Sequence, residues 1–220
     1  MTILDKLKII IPFSYMWILR HSIGCPKTIL DLGCGDGNLM EVLSQNRKWH
    51  ITGVDIYHNS LKQAQRKDIY KELIKGDVLN SIKKLTKLQR KYDVVFFSQV
   101  IEHISKQKGK RVLKAIEKLA KKRIIVGTPR GFMEQPKKFL KGNPHQVHES
   151  GWMEGDFRSR GYKVFGIGYK VIWSENGMAR TENKVLFIFC TLLGYLLSPL
   201  VYYFPRIGAG LLCIKDINEK

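Results

Sequence analysis

Three glycines at alternate positions, Gly33, Gly35 and Gly37, follow an apolar run containing Asp31 in the stretch ILDLGCGDGNL, residues 29–39. Glycine lacks a Cβ, so such a turn can take positive φ and bring its backbone close to a ligand. A helix opening near Gly37 would add free N–H groups able to receive an anionic group. A dinucleotide fingerprint needs the spacing G-x-G-x-x-G, and Asn38 stands where its third glycine should be. Asp31 also argues against a pyrophosphate, which is itself anionic; a carboxylate there suits a ligand with a positive amine. Two more acids, Asp55 in GVDI and Asp77 in KGDV, follow at intervals of 24 and 22 residues. Either carboxylate can accept two hydroxyls at once.

A second constellation closes the segment YDVVFFSQVIEHI, residues 92–104, where Ser98, Gln99, Glu102 and His103 gather. His103 is the candidate general base, with Glu102 behind it. A partly buried, purely structural histidine is the competing reading. His145 and His148 lie in NPHQVHESGW; His148 is read as part of a substrate-side wall ahead of a short helix.

Alternating strand-like and helix-like runs position these residues. Strands are expected at 28–33, 50–56, 74–78, 92–101 and 123–129, and helices at 37–46, 60–73, 81–91 and 108–120. Near-continuous apolar strands alternating with helices imply a parallel sheet covered on both faces. Such sheets bind ligands beyond the carboxyl ends of their strands. A loop-rich connection at 130–150, a short helix at 151–161, a strand at 162–172 and a last strand at 208–216 complete the pattern.

The whole arrangement resembles the class I S-adenosylmethionine-dependent methyltransferases, in their type 11-like branch. The resemblance covers 28–172 and 208–216. It implies an α/β, Rossmann-like doubly wound sheet, mostly parallel with an antiparallel last strand and helices on both faces. It also implies S-adenosyl-L-methionine as cofactor. In that family the D-x-G-x-G-x-G turn wraps the methionine part, the acid ending the second strand (Asp55) grips the ribose, and the acid after the third (Asp77) reaches the adenine amine. The implied cofactor set is Asp31, Gly33, Cys34, Gly35, Gly37, Asp55, Ile56, Asp77, Val78 and Gln99. QVIEHI also resembles the E-x-x-E-H metal motif of small-RNA and ubiquinone-biosynthesis O-methyltransferases, but Gln99 replaces the first glutamate. A neutral amide weakens a hard divalent site, and no metal is assigned.

The four cysteines form no C-x-x-C pair, which suits a reduced, intracellular protein. The formal net charge is +19, and residues 82–141 hold 18 Lys/Arg against four acids. This field favours anionic partners, among them an anionic membrane surface and, less strongly, nucleic acid. Residues 185–205 form an uncharged run of 21 residues interrupted by Gly194 and by Ser198–Pro199. A single crossing would strand the last strand on the wrong side of a bilayer. A broken helix or hairpin in the membrane interface is therefore expected, joined by the amphipathic start LKIIIPFSYMWIL. The division expected is an N-terminal helical cap (1–27), the methyltransferase domain (28–172 with 208–216) and an apolar insertion (173–207). The expected acceptor is a lipid or lipid-linked molecule, and the expected location is cytoplasmic, peripheral or monotopic at the membrane. An RNA methyltransferase and a non-catalytic, cofactor-binding subunit are the alternatives.

Overall fold

The structure, a computed structural model, describes residues 9–134 and 142–217. Residues 135–141, within the loop-rich connection expected at 130–150, lie outside the described residues.

Seven strands form one sheet: β1 (Thr28–Leu32), β2 (His50–Asp55), β3 (Tyr70–Lys75), β4 (Tyr92–Ser98), β5 (Ala120–Pro129), β6 (Lys163–Tyr169) and β7 (Gly208–Asp216), in the order β3-β2-β1-β4-β5-β7-β6. The pairs β1–β2, β1–β4, β2–β3 and β4–β5 are parallel, whereas β7 runs antiparallel to both β5 and β6. β7 thus lies inside the sheet, between β5 and the edge strand β6.

Side chains alternate across the strands and feed two cores. Leu30, Val95, Phe97, Ile124 and Val126 point to one face, where they meet helices α4 (Val78–Lys87) and α5 (Lys106–Ile116) through Ile82, Leu85, Val112 and Ile116. Ile29, Val94, Phe96 and Ile125 point to the other, covered by α1 (Tyr15–Ile23) and α2 (Asn38–Leu43) through Ile18, Leu19, Met40 and Leu43. Burial on both faces explains why β4 is buried along its whole length.

Two expected elements need correction. The helix at 60–73 stops early: α3 spans His58–Gln65, Asp68 takes positive φ, and YKELIK becomes strand β3. The short helix α6 spans Glu154–Arg158, and the strand expected at 162–172 ends at Tyr169, its last residues turning into the short helix α7 (Lys170–Trp173).

The apolar run folds as two helices, α8 (Lys184–Leu196) and α9 (Ser198–Tyr203), broken at Leu197 with a proline in the first turn of α9. Two glycines let this cap sit close to the sheet. A Cβ on Gly166 of β6 would stand 2.3 Å from the Val201 carbonyl oxygen, and one on Gly194 of α8 would stand 2.7 Å from Trp173 Nε1. Tyr202 stacks on Phe165, which fixes α9 on the same face as α1. The N-terminal segment is tied to the cap, since the Tyr195 hydroxyl donates to the Pro12 carbonyl at 2.9 Å and Phe13 contacts Tyr202 and Tyr203. Among the described residues no helix is long and apolar enough to cross a membrane.

Candidate active site

The glycine turn leaves β1 and bends back over β2. Gly33 and Cys34 both donate backbone N–H bonds to the Val54 carbonyl, at 2.7 and 3.0 Å. Gly33, Gly35 and Gly37 have φ of 74°, 56° and 77°. Their surroundings differ. A Cβ on Gly33 would meet Val100 Cγ2 at 2.2 Å, whereas a Cβ on Gly35 has nothing within 4 Å. Gly33 is therefore needed for packing, and Gly35 presents bare backbone to open space.

Asp55, ending β2, holds the turn: its Oδ2 accepts from Gly35 N and its Oδ1 from Tyr57 N, both at 2.8 Å. Each oxygen keeps a second lone pair for hydroxyls. Asp31 is 5% exposed. Burial drives its carboxyl up, the Tyr70 hydroxyl counters, Asp55 adds to the rise, and the value reaches about 7. Asp77 caps α4, accepting from Leu79 and Asn80 N, and receives the Lys108 ammonium at 2.6 Å. Burial opposes its charge, but Lys108 and those N–H groups outweigh it and hold the carboxyl below its usual range. A cavity of about 190 Å³ lies against Ile56, Asp77, Val78, Val100, His103 and Lys108.

At the end of β4 the backbone is strained, with Gln99 at φ 57°. Gln99 faces a second cavity of about 500 Å³, whose walls include Phe13, Tyr15, Ile167, Trp173, Gly194 and Tyr195. The Tyr15 hydroxyl lies 3.4 Å from Ser98 Oγ. The turn Gln99–Val100 thus separates a cofactor-side space from an apolar space under the cap.

His103 faces the first cavity. Its Nδ1 is 3.2 Å from the Val147 carbonyl, which can only accept, so the proton sits on Nδ1 and Nε2 carries a lone pair. Burial above all, with neighbouring His148, lowers its pKa to about 4; the ring is neutral near pH 7. His148 Nδ1 donates to the Met133 carbonyl in the same manner. Glu102 is 2% exposed; Thr128 Oγ1 donates to its Oε2 at 3.1 Å, while Oε1 has no partner. Burial pushes its carboxyl up to about 7. Glu102, His103 and His148 offer ligand atoms all within 4.8 Å of one another. Two imidazoles and a carboxyl group suit a transition ion better than magnesium. His145 lines the small cavity.

Residues 29–123 match the family model of a methyltransferase domain. Residues 29–123 thus carry a methyltransferase domain, and the fold is that of the class I S-adenosylmethionine-dependent methyltransferases. Its fold is shared by a SAM-dependent methyltransferase from Archaeoglobus fulgidus, at 15% identity and TM-score 0.56, covering 98% of this chain and 100% of that one. The plantazolicin methyltransferase BpumL, in complex with SAH, gives 18% identity and TM-score 0.57 over 98% and 87% of the two chains. The methyltransferase domain of bacterial CtHen1-C gives 20% and 0.52 over 95% and 100%. No curated protein matches.

The cofactor of this methyltransferase class, S-adenosylmethionine, fits the cradle. The bare Gly35 backbone, the acidic Asp31 and the small cavity beside Ile56, Asp77 and Val78 offer one surface for each part of it. When bound, it supplies an electrophilic methyl group with a good leaving group. The chain's own residues then have to orient an acceptor, exclude water and take its proton.

The structure thus gathers Asp31, Gly33, Cys34, Gly35, Gly37, Asp55, Ile56, Asp77, Val78 and Gln99 around the carboxyl ends of β1, β2, β3 and β4. Two residues went unread. Tyr15 was hidden in an apolar N-terminal run that carries no motif. Tyr70 falls inside the helix expected at 60–73, although Asp68 ahead of YKELIK permits a turn into a strand.

Proposed function

We propose that this methyltransferase acts on an apolar, membrane-borne acceptor, a lipid or lipid-linked molecule, from the cytoplasmic face as a peripheral or monotopic protein. The carrying observation is the 500 Å³ cavity under the cap, walled by Phe13, Ile167, Trp173 and Tyr195 and bounded by Gln99 at the end of β4. A long apolar acceptor fits such walls better than a charged one does. The outer side of the same cap is apolar: Val185, Ile188, Phe189, Leu192 and Leu196 are exposed, Val185 at 77% and Leu196 at 75%. An exposed apolar patch of this kind is the surface a bilayer would cover. In this reading Gln99 and Tyr15, which border that cavity, orient the acceptor, while His103 lies on the cofactor side of the Gln99–Val100 turn.

A nucleic-acid acceptor is the second reading. It is favoured by the Glu102, His103 and His148 cluster, and by the groove between α4 and α5 rimmed by Lys83, Lys87, Arg111, Lys114 and Lys118. Methyl-labelled S-adenosylmethionine, incubated with the protein and cell extract and then fractionated, separates the two. Label in the organic phase that persists in chelator supports the lipid reading. Label in RNA that disappears in chelator replaces it with the second. Cofactor binding without label anywhere points to a non-catalytic subunit.

A further inference from the structure

Tyr70 opens β3, the edge strand, yet its hydroxyl donates to Asp31 Oδ2 on β1 at 2.8 Å. The side chain therefore spans β2, and the sheet is built to let it through. A Cβ on Gly53, in the middle of β2, would stand 2.9 Å from Cδ1 and Cε1 of the Tyr70 ring. A Cβ on Gly37 of the glycine turn would stand 3.0 Å from its Cε2. Glycine inside a strand is costly and marks a place of close approach. The β2–β3 register also shifts between Ile51 and Thr52, so that Ile51 faces Tyr70 and Thr52 faces Glu72. A bulge of this kind re-aims a side chain. One irregularity and two missing side chains thus converge on one hydroxyl.

We propose that Tyr70 is a positioning residue for the cofactor's ammonium group, acting through Asp31. The hydroxyl occupies Oδ2 and fixes the carboxylate plane, and no described protein group bonds Oδ1, which is left for the ligand. The inference rests on S-adenosylmethionine being the cofactor. The groups acting on Asp31 and Tyr70 are otherwise acidic: Asp55 from β2, and Cys34 and Asp36 from the turn. No cation among them offsets the cost of a buried carboxylate, so the phenol is the donor that favours its charged form. Burial raises the Tyr70 phenol too, which keeps its proton in place as a donor.

The test compares two ligands by equilibrium binding across pH: S-adenosylmethionine, and 5′-methylthioadenosine, which lacks the amino-acid part. Y70F keeps the ring over both glycines and removes only the hydroxyl. It should weaken S-adenosylmethionine about tenfold, the worth of one hydrogen bond to a charged group, and leave methylthioadenosine unchanged. The pH below which S-adenosylmethionine affinity declines should move upward. In a D31N background, Y70F should have no further effect. Gly53→Ala, whose Cβ would meet Leu73 Cδ2 as well as the Tyr70 ring, should reproduce the selective loss. Equal weakening of both ligands, or an undiminished Y70F effect in D31N, would overturn the role. If the wild-type chain bound methylthioadenosine as tightly as S-adenosylmethionine at every pH, recognition of the ammonium would itself be refuted. Binding of neither ligand by the wild-type chain would instead sink the cofactor assignment.

Discussion

At the scale of single residues, the two glycines of the turn separate folding from binding. Ala at position 33 must adopt φ near 74° and would drive its Cβ into Val100. Gly33→Ala should cost ~2–4 kcal/mol in urea unfolding and abolish cofactor binding. Ala at position 35 bears only the strain of positive φ, since its Cβ meets nothing. Gly35→Ala should cost ~1–2 kcal/mol of stability while still losing the cofactor. Glu102 yields a prediction of a different sort. Its carboxyl rises from 4.5 to about 7 in the folded chain, so the native state binds its proton more tightly than the unfolded chain. Stability from this group is full below about 4.5 and falls as pH climbs to about 7, by ~3 kcal/mol. Asp31, raised from 3.8 to about 7, slopes the same way. Melting of E102Q against wild type in chelator, from pH 4.5 to 8, should show a shallower decline in the variant. The glycines, Asp31, Asp55 and Asp77 were legible in the sequence because their chemistry follows from local spacing. Tyr15 and Tyr70 were not, because each acts on a residue far away in the chain, Ser98 and Asp31.

At the scale of elements, the strands buried on both faces were readable and the edge was not. β1, β2, β4 and β5 are buried over most of their length, whereas YKELIK of β3 is half exposed and lysine-bearing. A strand so polar at the sheet edge looks helical until its partner β2 is known. The cap helices were legible as a broken apolar run because Gly194 and Pro199 punctuate it, but what they cover depends on tertiary contact. Gly194 receives the Trp173 indole. Gly194→Leu should push α8 off Trp173 and close the larger cavity, lowering acceptor turnover at least tenfold with cofactor affinity unchanged. Ile188, Leu192 and Leu196 face outward at 58%, 64% and 75% exposure. Replacing all three with serine should leave the melting temperature nearly unchanged, because surface substitutions usually stay within ~0.5 kcal/mol each. The same triple variant should lose flotation with anionic vesicles; undiminished flotation would remove the cap from the proposed contact.

At the scale of the whole molecule, the two surfaces that could bind larger partners lie on different sides. The basic groove belongs to α4 and α5 on one face of the sheet, while α9 packs against the other through Tyr202. The basic belt and the apolar cap were expected to face one bilayer together; the fold sets the groove apart from the cap. Both ends of the apolar run also return to one sheet, β6 before it and β7 after it. Alkaline carbonate should therefore release the protein from membranes without detergent, as it does not for a spanning helix. The strand order has a further consequence during biosynthesis. β7 wedges between β5 and β6, so a nascent chain that has not yet delivered residues 208–216 leaves one edge of β5 without its ladder. Until then the Gly127–Pro129 end of β5, beside Gln99, has no antiparallel neighbour to hold it. The cofactor cradle can thus be completed before the acceptor side, which awaits the last strand, and a chain stalled in between would expose an apolar strand edge for chaperones to cover.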